Sequence, residues 1–328
     1  MYQTDPDPKI ATLPSGIRIS YRIFPGKSKV PLFCVHGLTG NLKNFEPIAT
    51  NLSKKGITVI TYDLRGRGRS DKPKEEYTAR IHAEDLKQLS SLLGYSKISV
   101  LSHSLGAWIT LRFAEKFASS LDRAILIDGG GELSIKRKIS NLLMIQGSLA
   151  RLGRRIPSKE TYLQEAKKSP LLSAWNKNIQ NFLLYELEPV GTLSPSLVPK
   201  NGENLLGPVI CSIPPYVIDS ELKNMGGAMK PSHIFSRVFR SPKEFLQILK
   251  ENKIMPYSAL NCPVLVIRAL KPNFRSGDEL LPDPAIEKMK LKIGNLQIVE
   301  LKDKNHYESV LLEDPFRDRE IFQFLKIK

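Results

Sequence analysis

Ser104 sits in the stretch Ser102-His103-Ser104-Leu105-Gly106. This is one residue away from the G-x-S-x-G pattern of a serine nucleophile, because Ser102 stands where the first glycine belongs. The apolar run ISVLS (98–102) before it reads as a buried strand, and LGAWITLRFAEKF (105–117) after it carries apolar residues at helical spacing. A serine at such a junction is held in a sharp turn with its hydroxyl projecting above the sheet edge. The tight turn demands small residues two positions before and after it. Gly106 meets that demand, and Ser102 is small as well. The helix start adds N–H groups that its own ladder does not use, and these suit a developing oxyanion.

A serine hydroxyl is a weak nucleophile until a base removes its proton, so the five histidines come next. His306, in NHYESVL after the last strand-like run, is the best-placed base. His36 follows the buried run PLFCV and is read as shaping the loop beyond it. His103 is expected to point away from the pocket in a structural role. His82 falls within a periodic helix and reads as structural, and His233 reads as a surface position.

These residues must be positioned by a scaffold, and the hydrophobic pattern describes one. Strands are expected at 17–23, 31–35, 57–62, 98–102 and 124–128, with amphipathic segments NFEPIATNLSKK, TARIHAEDLKQLSSLL and LGAWITLRFAEKF between them. Near-continuous apolar strands alternating with helices imply a parallel sheet covered on both faces. From about 131 to 255 no strand pattern is visible. Helical stretches such as SNLLMIQGSLARL and SAWNKNIQNFLLYEL alternate there with Pro and Gly clusters. The rhythm resumes with PVLVIRA (263–269), a helix near DPAIEKMKL, LQIVEL (296–301) and the helix DPFRDREIFQFLK. The reading is one α/β core interrupted by a mostly helical insertion.

Composition excludes more than it names. A chain of 328 residues with 41% hydrophobic and 25% charged content buries a full core. No apolar run approaches the roughly 18–20 residues of a spanning helix, and the first residues lack a signal-peptide layout. The three cysteines, Cys34, Cys211 and Cys262, are too few and too far apart for a disulfide framework or a zinc site. A cytoplasmic setting is the expectation. The net charge is +16, and residues 136–168 hold nine Lys or Arg against two Glu. No nucleic-acid motif accompanies them and no aromatics are interleaved as a stacking platform. The basic surface is therefore read as solvated, and no nucleic-acid partner is expected.

Four features occur in one order: the His36-Gly37 loop in FCVHGLTGN (33–41), the D-x-R-G-x-G-x-S segment from Asp63 to Ser70, the Ser104 elbow, and the late His306. In these the chain resembles the α/β-hydrolase fold superfamily, in its serine-nucleophile branch, over about 1–130 and 255–328. The resemblance implies an α/β fold with a mostly parallel central sheet flanked by helices, and a helical cap inserted after the sixth strand by the family's count. The core would be 1–130 and 255–328, and the cap 131–254. It also implies that the backbone N–H groups of Leu38 and Leu105 form the oxyanion hole. The acid departs from the usual pattern. It normally follows the seventh strand, but here LKPNFRSGDELLP follows, with Pro272 near the expected place. Asp278 comes six residues later, with a D-x-x-x-P spacing to Pro282 that looks like the family's loop ending. Asp128, at the end of AILID, matches branches that carry the acid after the sixth strand. Asp128 is preferred because a strand end holds a carboxylate rigidly; Asp278 is the alternative.

The expected activity is hydrolysis of a carboxylic ester or related small-molecule acyl substrate through a Ser104 acyl-enzyme, with neither metal nor organic cofactor. Carbon–carbon bond, lactone and thioester hydrolysis on the same scaffold are the alternatives, together with a non-catalytic binding protein that retained the fold. The epoxide hydrolase and dehalogenase branches use an aspartate where this chain has Ser104.

Overall fold

The computed structural model describes residues 8–134, 137, 141, 149–191, 207–224 and 255–326. Within them the strands are β1 (Lys9–Thr12), β2 (Arg18–Phe24), β3 (Leu32–Val35), β4 (Val59–Tyr62), β5 (Ile98–His103), β6 (Leu121–Ile127), β7 (Leu187–Pro189), β8 (Val209–Cys211), β9 (Val264–Ala269) and β10 (Leu296–Leu301). The helices are α1 (Glu46–Lys54), α2 (Ala79–Leu92), α3 (Leu105–Phe117), α4 (Lys159–Lys167), α5 (Lys177–Tyr185), α6 (Pro215–Asn224), α7 (Asp283–Lys292), α8 (Glu308–Leu311) and α9 (Pro315–Lys326).

Eight strands form one sheet in the order β1-β2-β4-β3-β5-β6-β9-β10. From β4 to β10 every pairing is parallel, and β2 runs antiparallel to both of its neighbours. The central strands β3, β4, β5 and β9 are buried at every position. They can be, because their side chains alternate between two cores. Phe33, Val35 and Val100 face α2 and α3 through Leu86 and Ile109, while Leu32, Cys34 and Leu101 face α1 and α9 through Ile48, Leu52 and Ile321. This is the two-sided cover that continuous apolar strands require.

The segment between β6 and β9 corrects one expectation. It contains helices α4, α5 and α6, but also an antiparallel pair, β7 with β8, to which Ile156 adds a bridge at Val209. These strands are three residues each and one closes on Pro189, too short to display a period of two. Strand β1 also escaped the sequence pattern. His233, most of SNLLMIQGSLARL and residues 195–206 of the Pro/Gly cluster lie outside the described residues.

Polar contacts seat this segment on the core. Tyr185 of α5 donates to Asp63 Oδ2 at 2.7 Å, and Asn41 Nδ2 donates to the Phe182 carbonyl at 3.1 Å. Glu221 of α6 accepts from Arg67 Nη1 at 2.8 Å and pairs with His82 Nε2 at 2.6 Å, all three side chains being fully buried. Burial opposes the Glu221 charge, but Arg67 and His82 outweigh it and hold the carboxyl down at about 2. Arg67 Nε also donates to the Leu38 carbonyl at 3.2 Å, so the pair steadies the loop after β3.

The Asp63–Ser70 segment has a local logic of its own. Asp63 accepts the N–H groups of Leu42 at 2.7 Å and Arg69 at 2.9 Å, and Gly68 passes so close that a Cβ there would lie 2.2 Å from Asp63 Oδ2. Among the cysteines, Cys34 and Cys211 are buried and Cys262 is half-buried. Burial pushes the Cys211 thiol up to about 12 and the Cys262 thiol up to about 11, which leaves little thiolate at neutral pH.

Candidate active site

Ser104 leaves β5 and opens α3 with φ 56° and ψ −118°. Its N–H donates to the Ile127 carbonyl at 3.1 Å, tying the turn to the end of β6. Close packing explains the small residues around it. A Cβ on Gly106 would meet the Val35 carbonyl oxygen at 2.1 Å, and one on Gly37 would lie 3.1 Å from Ser104 Cβ. Ser102 replaces the usual glycine at no polar cost: it is fully buried, and its hydroxyl donates to the Ile125 carbonyl at 3.2 Å.

Asp128 follows β6. Its N–H donates to the Ile267 carbonyl at 2.8 Å, and its Oδ1 accepts the Ala269 N–H at 3.3 Å, so neighbouring β9 fixes it from both ends. Its Oδ2 lies 2.8 Å from His306 Nδ1. Asp128 has φ 46°, and with Ser104 it makes up the non-glycine positive-φ residues among those described. Such conformations store strain and persist only where the surroundings over-determine them. Gly129 continues the close approach, since a Cβ there would lie 2.5 Å from the Ser104 carbonyl oxygen.

Asp278 is used differently. Its carboxylate accepts the N–H groups of Asn273 at 2.9 Å, Phe274 at 2.7 Å and Arg275 at 3.0 Å. It closes its own loop and does not bond to His306. The loop it closes has a consequence, because Asn273 Oδ1 accepts the His306 N–H at 3.2 Å. The His306 carbonyl in turn accepts from Ser309 Oγ at 2.7 Å and from His103 Nε2 at 3.0 Å.

That last contact corrects the expectation that His103 points away from the pocket. Its ring lies against the His306 ring, with centroids 4.3 Å apart and planes inclined by 34°, and it lines the same cleft. Burial, reinforced by the nearby His306, holds the His103 imidazole well below its ordinary value and therefore neutral. Neither His103 nor Asn273 carried a sequence signal for this support, since each meets His306 across a long stretch of chain.

The cleft itself measures about 40 Å³ and is lined by Gly37, Leu38, His103, Ser104 and His306, among others. Leu105, as the first residue of α3, keeps an N–H outside the helix ladder. Leu38 stands on the loop held by Arg67. Behind that loop His36 is fully buried: Nδ1 donates to the Gly37 carbonyl at 2.9 Å and Nε2 accepts the Leu64 N–H at 3.1 Å. His82, expected as structural, pairs with Glu221 as described. No group of three or more His, Cys, Asp or Glu side chains that could hold a metal ion occurs among the described residues.

Burial lowers the His36 pKa from 6.5 to about 3. A base held neutral in the folded state is protonated first in the unfolded chain. Its contribution to stability is therefore complete above pH 6.5 and is lost as pH falls from 6.5 towards about 3. Each such group adds a slope of about 1.4 kcal/mol per pH unit, and His103 acts in the same direction. Urea midpoints are expected to fall steadily from pH 7 to pH 5, and His36→Gln to flatten that fall. Parallel pH dependences of wild type and variant would refute the assignment of the slope to His36.

The sequence model described as "alpha/beta hydrolase fold" matches residues 30–307. An uncharacterized protein of Mycobacterium tuberculosis is 31% identical over 140 residues, covering 42% of this chain and 40% of that protein. A proline iminopeptidase of Thermoplasma volcanium is 32% identical over 118 residues, covering 35% of this chain and 40% of that enzyme. The matched region thus spans about two fifths of the length of these curated relatives. Among solved structures, an alpha/beta hydrolase from Novosphingobium aromaticivorans superposes with a TM-score of 0.67 at 21% identity, covering 98% of each chain.

Proposed function

Because the chain belongs to the α/β hydrolase fold family, we propose that it is a serine hydrolase in which Ser104, His306 and Asp128 act as nucleophile, base and acid on a carboxylic ester or related acyl substrate. The observation that carries this reading is the 2.8 Å Asp128–His306 pair in the cleft of a serine held at positive φ. In the first half-reaction His306 Nε2 takes the Ser104 proton while Oγ attacks the acyl carbon. The tetrahedral oxyanion is met by the N–H groups of Leu38 and Leu105, each worth roughly a hundredfold in rate or more. Collapse breaks the bond to the leaving group, which takes the proton from His306. Water then adds to the acyl-enzyme with the same base, and the carboxylic acid leaves with Ser104 restored. Asp128 stays ionised and accepts the hydrogen bond from His306 Nδ1–H throughout, which fixes the tautomer that leaves Nε2 free to act.

In the same reading residues 131–254 form a cap over the site. Its described helices α5 and α6 meet the core at Asp63, Asn41 and Arg67. A fluorophosphonate probe is the direct test. It is expected to label Ser104 covalently and to leave Ser102, whose hydroxyl is buried and already donated, untouched. Labelling that persists undiminished in Ser104→Ala would overturn the reading.

A further inference from the structure

The cleft at Ser104 continues into a much larger space. Thr39, Leu171, Phe182, Phe274 and Tyr307 line both the cleft of about 40 Å³ and a second cavity of about 420 Å³. These five form a neck. Beyond it the near walls are apolar, with Ala166 of α4, Leu183 of α5 and Leu172 from the connection between them. A volume of this order holds a ligand of small-molecule size, whereas the cleft alone admits little more than the reacting group.

The far wall is polar, but its charges are matched. Arg151 Nε bonds to Glu186 Oε1 at 2.8 Å, Tyr162 donates to the same carboxylate, and Arg154 pairs with Glu165. An anionic group arriving here would have to compete with a carboxylate for each guanidinium, and would itself approach two carboxylates. An uncharged aliphatic chain meets neither difficulty, and it gains from the apolar walls all along its length.

We propose that this second cavity receives an uncharged aliphatic limb of the substrate, so that the preferred substrate carries a medium-length chain on one side of the scissile carbonyl. The proposal rests on the serine hydrolase reading for the position of that carbonyl. The limb belongs either to the acyl part or to the leaving alcohol, and two ester series separate these sources: p-nitrophenyl esters of lengthening acids, and acetates of lengthening n-alcohols.

In one of the two series kcat/KM is expected to rise about fourfold per added methylene, the factor that burying one CH₂ supplies, until the cavity is filled. A terminal carboxylate on the same chain should cancel the gain. Ala166→Trp places an indole inside the cavity and should flatten the dependence on length. Binding measured by calorimetry on Ser104→Ala gives a readout without turnover: affinity for the esters should climb with chain length and fall at least tenfold in the Ser104→Ala/Ala166→Trp double variant. Affinity and kcat/KM that ignore chain length in both series overturn the proposal, whether or not Ser104 reacts with a fluorophosphonate. Length-dependent, Ala166→Trp-sensitive binding beside an unreactive Ser104 upholds the limb site and removes the serine mechanism instead.

Discussion

Replacing Ser104 by alanine is expected to lower kcat on an accepted acyl substrate by a factor on the order of 10⁶, with His306→Ala costing a similar factor and the double variant little more. The reason is that, in the proposed mechanism, the two side chains perform one operation. Without His306 the Ser104 hydroxyl keeps its proton, and without Ser104 the imidazole has no nucleophile to activate. In the proposed mechanism, what survives in either variant is the polarisation of the carbonyl by the Leu38 and Leu105 N–H groups, which the double variant also retains. Single-turnover kinetics on the three proteins measures this, with melting temperatures to show that each is folded. Losses that multiply in the double variant would mean that the residues act on separate steps.

The second large effect is expected at Asp128. Asparagine fits the same space and can still accept the Ala269 N–H, so the fold should survive. Its amide, however, presents a donor to His306 Nδ1 where the carboxylate presents an acceptor. The imidazole must then carry its proton on Nε2, the atom that has to receive the Ser104 proton. A loss of about 10⁴ in kcat is the measure of that wrong tautomer in a comparable triad. Asp278→Asn should change kcat by less than about tenfold and lower the melting temperature instead, because the Asp278 carboxylate is engaged with three N–H groups of its loop. The reverse outcome, a large kinetic loss at Asp278 and near-normal turnover at Asp128, would transfer the acid's role to Asp278.

The contrast between these two carboxylates marks how far the chain could be read without coordinates. The Ser104 turn was legible because the hydrophobic period changes from strand to helix within two residues, and the helix expected at 105–117 is the helix observed. The buried strands were legible because β3, β4, β5 and β9 are rich in β-branched and other apolar residues. The partner of His306 was legible only as a preference for Asp128 over Asp278. Asp128 and Asp278 each follow a strand, and only the sheet order, with β6 between β5 and β9, brings one of them to the imidazole. That order depends on pairings between strands far apart in sequence, which no local period encodes. The same holds for His103, whose contact to His306 spans 203 residues, and for β7 and β8, whose three residues each are shorter than the pattern that would reveal them.

The buried pair of Arg67 and Glu221 governs what can be exchanged with other hydrolases. Arg67 belongs to the loop after β4, whereas Glu221 belongs to α6, so the two charges come from separately encoded stretches of chain. A chimera that replaces residues 131–254 keeps the guanidinium in its socket and discards its counter-ion. An uncompensated buried charge costs about 3–5 kcal/mol, a large share of the roughly 5–15 kcal/mol that holds a domain together. Recombination at the ends of the segment is therefore expected to lose that stability unless the donor brings an acid to the place of Glu221, or Arg67 is exchanged in the same step. The loop at 63–70 and helix α6 are thus coupled through one buried ion pair, although about 150 residues separate them.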